Sequence, residues 1–135
     1  MALILVVEDE QMLRTTLRAI LQRAGHEVAE AEDGAKAMEI FRVNLPDLVI
    51  TDIIMPNREG VETIGEMRAA APDLPIIAMS GGGSRGGELF LSLAARLGAT
   101  QTLAKPIRQA ELLAAVDACL ASRHRTDEDG RAISA

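Results

Sequence analysis

Five short apolar or alternating runs, LILVV (3–7), EVAEA (27–31), DLVITD (47–52), PIIAMS (75–80) and TQTLA (100–104), punctuate the chain. Between them apolar residues recur at spacings of three and four. No other feature restricts the possible folds as much. A continuous apolar run of five or six residues suits a strand buried on both faces, whereas the intervening pattern suits helices with a single apolar stripe. Leu13, Leu17, Ile20 and Ala24 stripe a first helix over 10–24, and Gly25 ends it. Asp33 can cap a second helix whose Gly34, Ala37, Met38 and Phe41 share a face and which ends before Pro46. A third carries Val61, Ile64, Met67 and Ala71 and stops at Pro72. A fourth, beginning at Glu88, carries Leu89, Phe90, Leu93 and Leu97; a fifth, opened by Pro106, carries Leu112, Leu113, Val116 and Leu120. EVAEA alternates polar and apolar residues and so reads as a half-exposed strand near an edge.

Alternation of strand and helix predicts an α/β fold: a doubly wound, five-stranded parallel sheet with five helices on its two faces and right-handed crossovers. Ligands of such sheets bind outside the carboxyl ends of the strands, near the point where strand order reverses. Each chemically unusual residue is therefore tested for its position relative to a strand end.

At 135 residues the chain has the size of one domain, with the pattern running to residue 121 and a tail, 122–135, expected to be flexible. No apolar run approaches the ~20 residues of a membrane span. MALILVVEDE meets acids at once, without a basic leader, so a cytoplasmic protein with no membrane contact is expected. A formal charge of −6 argues against binding nucleic acid backbones. Cys119 stands alone, so no internal disulfide forms, and its setting in AAVDACLA suggests a small core residue. His26, in a turn, and His124, in the tail, read as surface residues. Twelve arginines stand against two lysines, Lys36 and Lys105, which raises the question of what a lysine does at 105.

Four strand ends carry reactive groups. Glu8 and Asp9 follow the first strand, Asp52 ends the third, Ser80 ends the fourth and Lys105 follows the fifth. Any one acid after a strand also suits a helix cap or a solvated loop. Three carboxylates brought together repel and raise one another's pKa unless a cation compensates. Hard carboxylate oxygens suit Mg²⁺ or Mn²⁺, and the absence of nearby histidine or cysteine disfavours zinc.

VVEDE (6–10), DIIMPNREG (52–60), the strand-ending Ser80 and KP (105–106), in that order, make residues 3–121 resemble the receiver domain of bacterial two-component response regulators. The resemblance implies a flavodoxin-like sheet of strand order 2-1-3-4-5. It makes Asp52 the phosphoacceptor and Glu8 and Asp9 the acidic pair that holds Mg²⁺, Asp9 directly and Glu8 through water. Asp52 and the backbone carbonyl of Ile54 would supply further metal oxygens. Ser80 and the backbone amide of Gly81 would bind the phosphoryl group, and Lys105 would pair with it. The Lys105–Pro106 peptide would be cis, as in many relatives. The implied donor is a histidine kinase or histidine phosphotransfer protein, and the implied output is altered binding of an unidentified downstream protein. Output would run through the loop after the fourth strand and the face made by the fourth helix, fifth strand and fifth helix. The implied state is a monomer or a weak, phosphorylation-dependent dimer. Such a protein is not an enzyme in the usual sense, although it assists its own phosphorylation and the hydrolysis of its acyl phosphate.

Two departures from the family pattern stand out. Thr102 occupies the switch position where many receivers carry Tyr or Phe, and the stretch from Ser80 to Lys105 is lengthened in the loop SGGGSRGGE (80–88). Gly81, Gly83 and Gly86 there spell G-x-G-x-x-G, but after the fourth strand and without a following ribose-binding acid, so a dinucleotide site is not expected. The glycine loop instead becomes the expected place of conformational change. With its initial Met and no patterned segment after the fifth helix, a stand-alone unit is expected. The alternatives are a phosphorylation-independent interaction module of the same fold, or an enzyme or nucleotide binder of the same architecture.

Overall fold

The computed structural model describes residues 2–53, 59–81, 96 and 98–123. Five strands, β1 (Leu3–Val7), β2 (Glu27–Ala31), β3 (Leu48–Asp52), β4 (Ile76–Ser80) and β5 (Gln101–Ala104), form one parallel sheet of order β2-β1-β3-β4-β5. The described helices are α1 (Gln11–Arg23), α2 (Gly34–Val43), α3 (Glu59–Ala70) and α4 (Gln109–Arg123). The helix expected from Glu88 and most of the glycine loop fall outside the described residues, as do Ile54 and His124.

Side-chain alternation along each strand divides the core in two. Leu5, Val7, Val49, Ile76 and Ala78 pack with Ala37, Met38 and Phe41 of α2 and Ile64 and Met67 of α3. Ile4, Val6, Leu48, Ile50, Ile77 and Met79 face the other way and pack with Leu17 and Leu21 of α1 and with Leu112, Ala115, Val116 and Cys119 of α4. Cys119 is a core residue as expected, and burial pushes its thiol up to about 11, so it carries no thiolate at neutral pH. The two outer strands are the least buried, EVAEA among them, in keeping with edge positions.

Local chemistry fixes the element ends. The Asp33 carboxylate accepts from the Lys36 N–H at 2.8 Å and caps α2. Gly25, at φ 96°, closes α1: its N–H donates to the Gln22 carbonyl, and the His26 N–H donates to that of Leu21. Three strands begin one residue later than their apolar runs. Asp47 still meets Leu3, its N–H donating to the Leu3 carbonyl while its carboxylate accepts from the Leu3 N–H, and Pro75 has no N–H to donate. Thr100 meets Ile76 partly through its side chain, accepting from the Ile76 N–H.

Two expectations need correction. His26 is half-buried, its Nδ1 accepting from the Ala2 N–H at 3.3 Å. Pro106 does not open the last helix: it sits in the turn of a cis Lys105–Pro106 peptide, and α4 starts at Gln109, its first turn closed by Leu112 N–H on the Arg108 carbonyl.

Candidate functional site

Strand order reverses between β1 and β3, so the carboxyl ends of these strands flank the crevice that such a sheet offers to a ligand. Glu8 follows β1 there and Asp52 ends β3. Both are carboxylates and both are buried, Glu8 fully and Asp52 to 5% exposure. Burying a carboxylate costs several kcal/mol unless it is paired and hydrogen-bonded. Lys105 supplies the pairing: its Nζ lies 2.8 Å from Glu8 Oε1 and 2.6 Å from Asp52 Oδ2. It can do so because the β5 ladder sets Ala104 beside Ser80, and the Lys105 N–H donates to the Ser80 carbonyl at 2.8 Å.

Every polar group of Glu8 is engaged. Its N–H donates to the Ala31 carbonyl at 3.0 Å, Oε2 accepts from the Glu10 N–H at 3.0 Å, and its carbonyl accepts from Arg14 Nη1 at 2.8 Å. Burial nonetheless pushes the Glu8 carboxyl above the usual carboxylate range, since the bonds from Lys105 and the Glu10 amide oppose burial without cancelling it. Burial pulls the Lys105 ammonium down, but its hydrogen bonds to Asp52 and Glu8 outweigh that and hold it above the usual lysine value.

Asp9 is exposed, yet one carboxylate oxygen from each of Glu8, Asp9 and Asp52 lies within 4.8 Å of the others. Three carboxylates against one ammonium leave a formal excess of two negative charges, the charge of one divalent cation. All the side-chain donors are hard oxygens, which fits Mg²⁺ or Mn²⁺ and not zinc.

The structure thus brings Glu8, Asp9, Asp52 and Lys105 together, and sets Ser80, half-buried at the end of β4, one residue beyond the Asp52–Met79 pair. Gly81 is exposed, and a Cβ built there meets nothing within 4 Å, so space alone does not require glycine at that position. Thr102 pairs with Ala78 in the ladder and is half-buried, away from the carboxylate cluster in sequence register. Ile54 lies outside the described residues.

Arg14 and Glu30 escaped the sequence reading. Arg14 reaches back from α1 to the Glu8 carbonyl while its Nε faces Glu30 Oε1 of β2 at 3.5 Å. Arg18 donates to the other oxygen of Glu30 at 2.8 Å. The i, i+4 spacing of the arginines on one helix face was the available signal, but the register of β2 that places Glu30 against them was not.

Comparison with known proteins bears on the family and the fold. The family model described as response regulator receiver domain matches residues 4–117. The response regulator MprA of Mycolicibacterium vanbaalenii is 37% identical over 132 residues, covering 98% of this chain and 55% of its own length. MprA of Mycobacterium leprae is 36% identical over 131 residues, covering 97% and 55%. The chain thus spans about half the length of the relatives it matches. Among solved structures, a response regulator receiver domain protein from Clostridium thermocellum superposes with a TM-score of 0.83 at 28% identity, covering 92% of this chain and 98% of that one. The chemotaxis protein CheY4 of Vibrio cholerae gives a TM-score of 0.81 at 29% identity, covering 89% and 99%.

Proposed function

The chain belongs to the response regulator receiver domain family of two-component systems, and on that premise we propose that it is a phosphoacceptor switch carrying the phosphoryl group on Asp52. The observation that supports this best is the Lys105 ammonium held between the buried carboxylates of Glu8 and Asp52 at a strand-order reversal, with the Asp9 carboxylate beside them.

Asp9 and Asp52 would hold Mg²⁺ directly and Glu8 would hold it through water, with the Ile54 carbonyl as a further ligand. Once bound, the ion offsets negative charge on the phosphoryl oxygens. The protein's own groups do the rest. A carboxylate is a modest nucleophile, so transfer depends on positioning and charge neutralisation. Burial among β1, β3 and β4 fixes the Asp52 carboxylate at the end of its strand. One of its oxygens attacks the phosphorus of a phosphohistidine on a histidine kinase or phosphotransfer protein. The new P–O bond forms as the P–N bond breaks, and the imidazole leaves with the electron pair and takes up a proton. Lys105, already at Asp52, turns its ammonium to the arriving phosphoryl oxygens, and Ser80 and the Gly81 amide donate to them. Water later attacks the phosphorus, releasing inorganic phosphate and restoring the carboxylate. The modification is therefore transient, and the output is altered affinity for a downstream protein through the segment after β4.

Incubation with a small phosphodonor and Mg²⁺ should add one phosphate to the wild type and none to Asp52→Asn, read by intact mass. An unmodified wild type, under conditions that label other receivers, would sink the proposal. A binding partner held equally by wild type and Asp52→Asn, with or without the donor, would favour the phosphorylation-independent module.

A further inference from the structure

We propose that Arg14, held by Glu30, is a positioning residue that fixes the Glu8–Asp9 loop for the divalent cation. The proposal rests on the reading of Glu8, Asp9 and Asp52 as the cation site. Asp9 is the exposed member of that cluster, and its carboxylate goes where the Glu8–Asp9 peptide points it. Glu8 is held at both of its backbone polar groups: β2 holds its N–H, in the preceding Val7–Glu8 peptide, and Arg14 of α1 holds its carbonyl, in the Glu8–Asp9 peptide itself. The Glu8 N–H donates to the Ala31 carbonyl at 3.0 Å, and the Glu8 carbonyl accepts from Arg14 Nη1 at 2.8 Å. Arg14 is in turn only 16% exposed, with its Nε 3.5 Å from the Glu30 carboxylate. A guanidinium suits this task because its planar fork presents two donors in different directions at once; a lysine ammonium on its flexible stem does not hold two such partners in fixed geometry. Outer partners of metal ligands change metal affinity by about 10–100-fold when removed. Arg18 provides an internal comparison, since it holds the same Glu30 carboxylate at 2.8 Å and, among the described residues, makes no hydrogen bond or ion pair with Glu8.

The chain has no Trp or Tyr to report binding by fluorescence, so Mn²⁺ titration followed by the electron paramagnetic resonance of the free ion is the suitable measurement. Arg14→Ala should weaken Mn²⁺ binding roughly tenfold, Arg14→Lys should restore it only in part, and Arg18→Ala should leave it within twofold of wild type. Circular dichroism melts without metal confirm that the variants compared are folded. Phosphoryl uptake by Arg14→Ala should need more Mg²⁺ for half-maximal rate yet approach the wild-type rate at saturation, a split that general destabilisation does not produce. Equal Mn²⁺ affinity in wild type and folded Arg14→Ala overturns the positioning role while leaving the cation site standing. Equal weakening by Arg18→Ala overturns it too, because the effect would then come from the α1–β2 ion pairs as a whole. A wild type that binds no Mn²⁺ removes the reading of the cation site itself, and Asp52→Asn identifies that case by matching it.

Discussion

Lys105 is shared by two buried carboxylates and offsets part of their charge, and its removal should be felt before any chemistry is. Its side chain is 21% exposed, while those of Glu8 and Asp52 are 0% and 7% exposed. Removing one member of a buried ion pair costs about 3–5 kcal/mol, and the partial exposure of the lysine places Lys105→Ala near the lower end, at about 3 kcal/mol. The measurement is a denaturant melt without divalent cation. Added Mg²⁺ should then raise the Tm of Lys105→Ala by more than it raises that of the wild type, since the ion takes over charge that the lysine no longer balances. Equal increments would mean that lysine and cation do not act on the same carboxylates. At this scale the sequence was informative where a residue's meaning depends on its strand end. In a parallel sheet all such ends point the same way, so Glu8, Asp9, Asp52 and Lys105 could be brought together on paper. It was silent where a contact depends on side-chain reach, as with Arg14 on the Glu8 carbonyl, because spacing along a helix does not say which loop carbonyl a guanidinium will find.

Among the elements, the end of α3 shows the same division. Pro72 marked the stop, but the device that closes it is Arg68, one arginine among twelve. Its Nη1 donates to the carbonyls of Pro72 and Leu74 and its Nη2 to that of Gly98, each at 2.7 Å. Gly98 lies 30 residues away, and no local pattern could have named it. Gly98 has φ 86°, a left-handed backbone that favours glycine, and a Cβ built there would stand 3.1 Å from Arg68 Nε, close enough that the arginine would have to shift by a few tenths of an ångström. Arg68→Ala should cost about 1–3 kcal/mol through carbonyls left without their donor, and Gly98→Ala about 1 kcal/mol from the left-handed backbone alone, more with Arg68 present. The two should therefore be non-additive in a double-mutant cycle, with Gly98→Ala cheaper in the Arg68→Ala background. Additivity within about 0.5 kcal/mol would show that the arginine gives way freely. The last helix was misplaced for a related reason: proline suits both a first helical turn and a turn outside the helix, and the hydrogen bond from Leu112 to Arg108 decides for the latter.

For the whole molecule, the sheet order followed from the alternation together with the family pattern, and the two-layered core followed from side-chain parity on β1, β3 and β4. The thermodynamic consequence is that the site is built against the stability of the fold that carries it. Glu8 resists ionisation because it is buried, and three carboxylates converge on a single ammonium in a chain of formal charge −6. The metal-free native state keeps this uncompensated charge, while an unfolded chain disperses it into water. A divalent cation that binds only the assembled cluster must therefore stabilise the native state by mass action. At a Mg²⁺ concentration tenfold above its Kd the gain is about 1.4 kcal/mol, which for a domain of this size raises Tm by on the order of 5 °C. Differential scanning calorimetry across a Mg²⁺ series, with ionic strength held constant by a monovalent salt, separates this from general screening. Wild-type Tm should climb with the logarithm of Mg²⁺ concentration once past Kd. Asp52→Asn, which lacks one of the three carboxylates, should start from a higher metal-free Tm relative to its Mg²⁺-saturated value and show a smaller climb. A wild-type Tm that does not move at millimolar Mg²⁺ would mean that the carboxylate cluster is no cation site, whatever its charge.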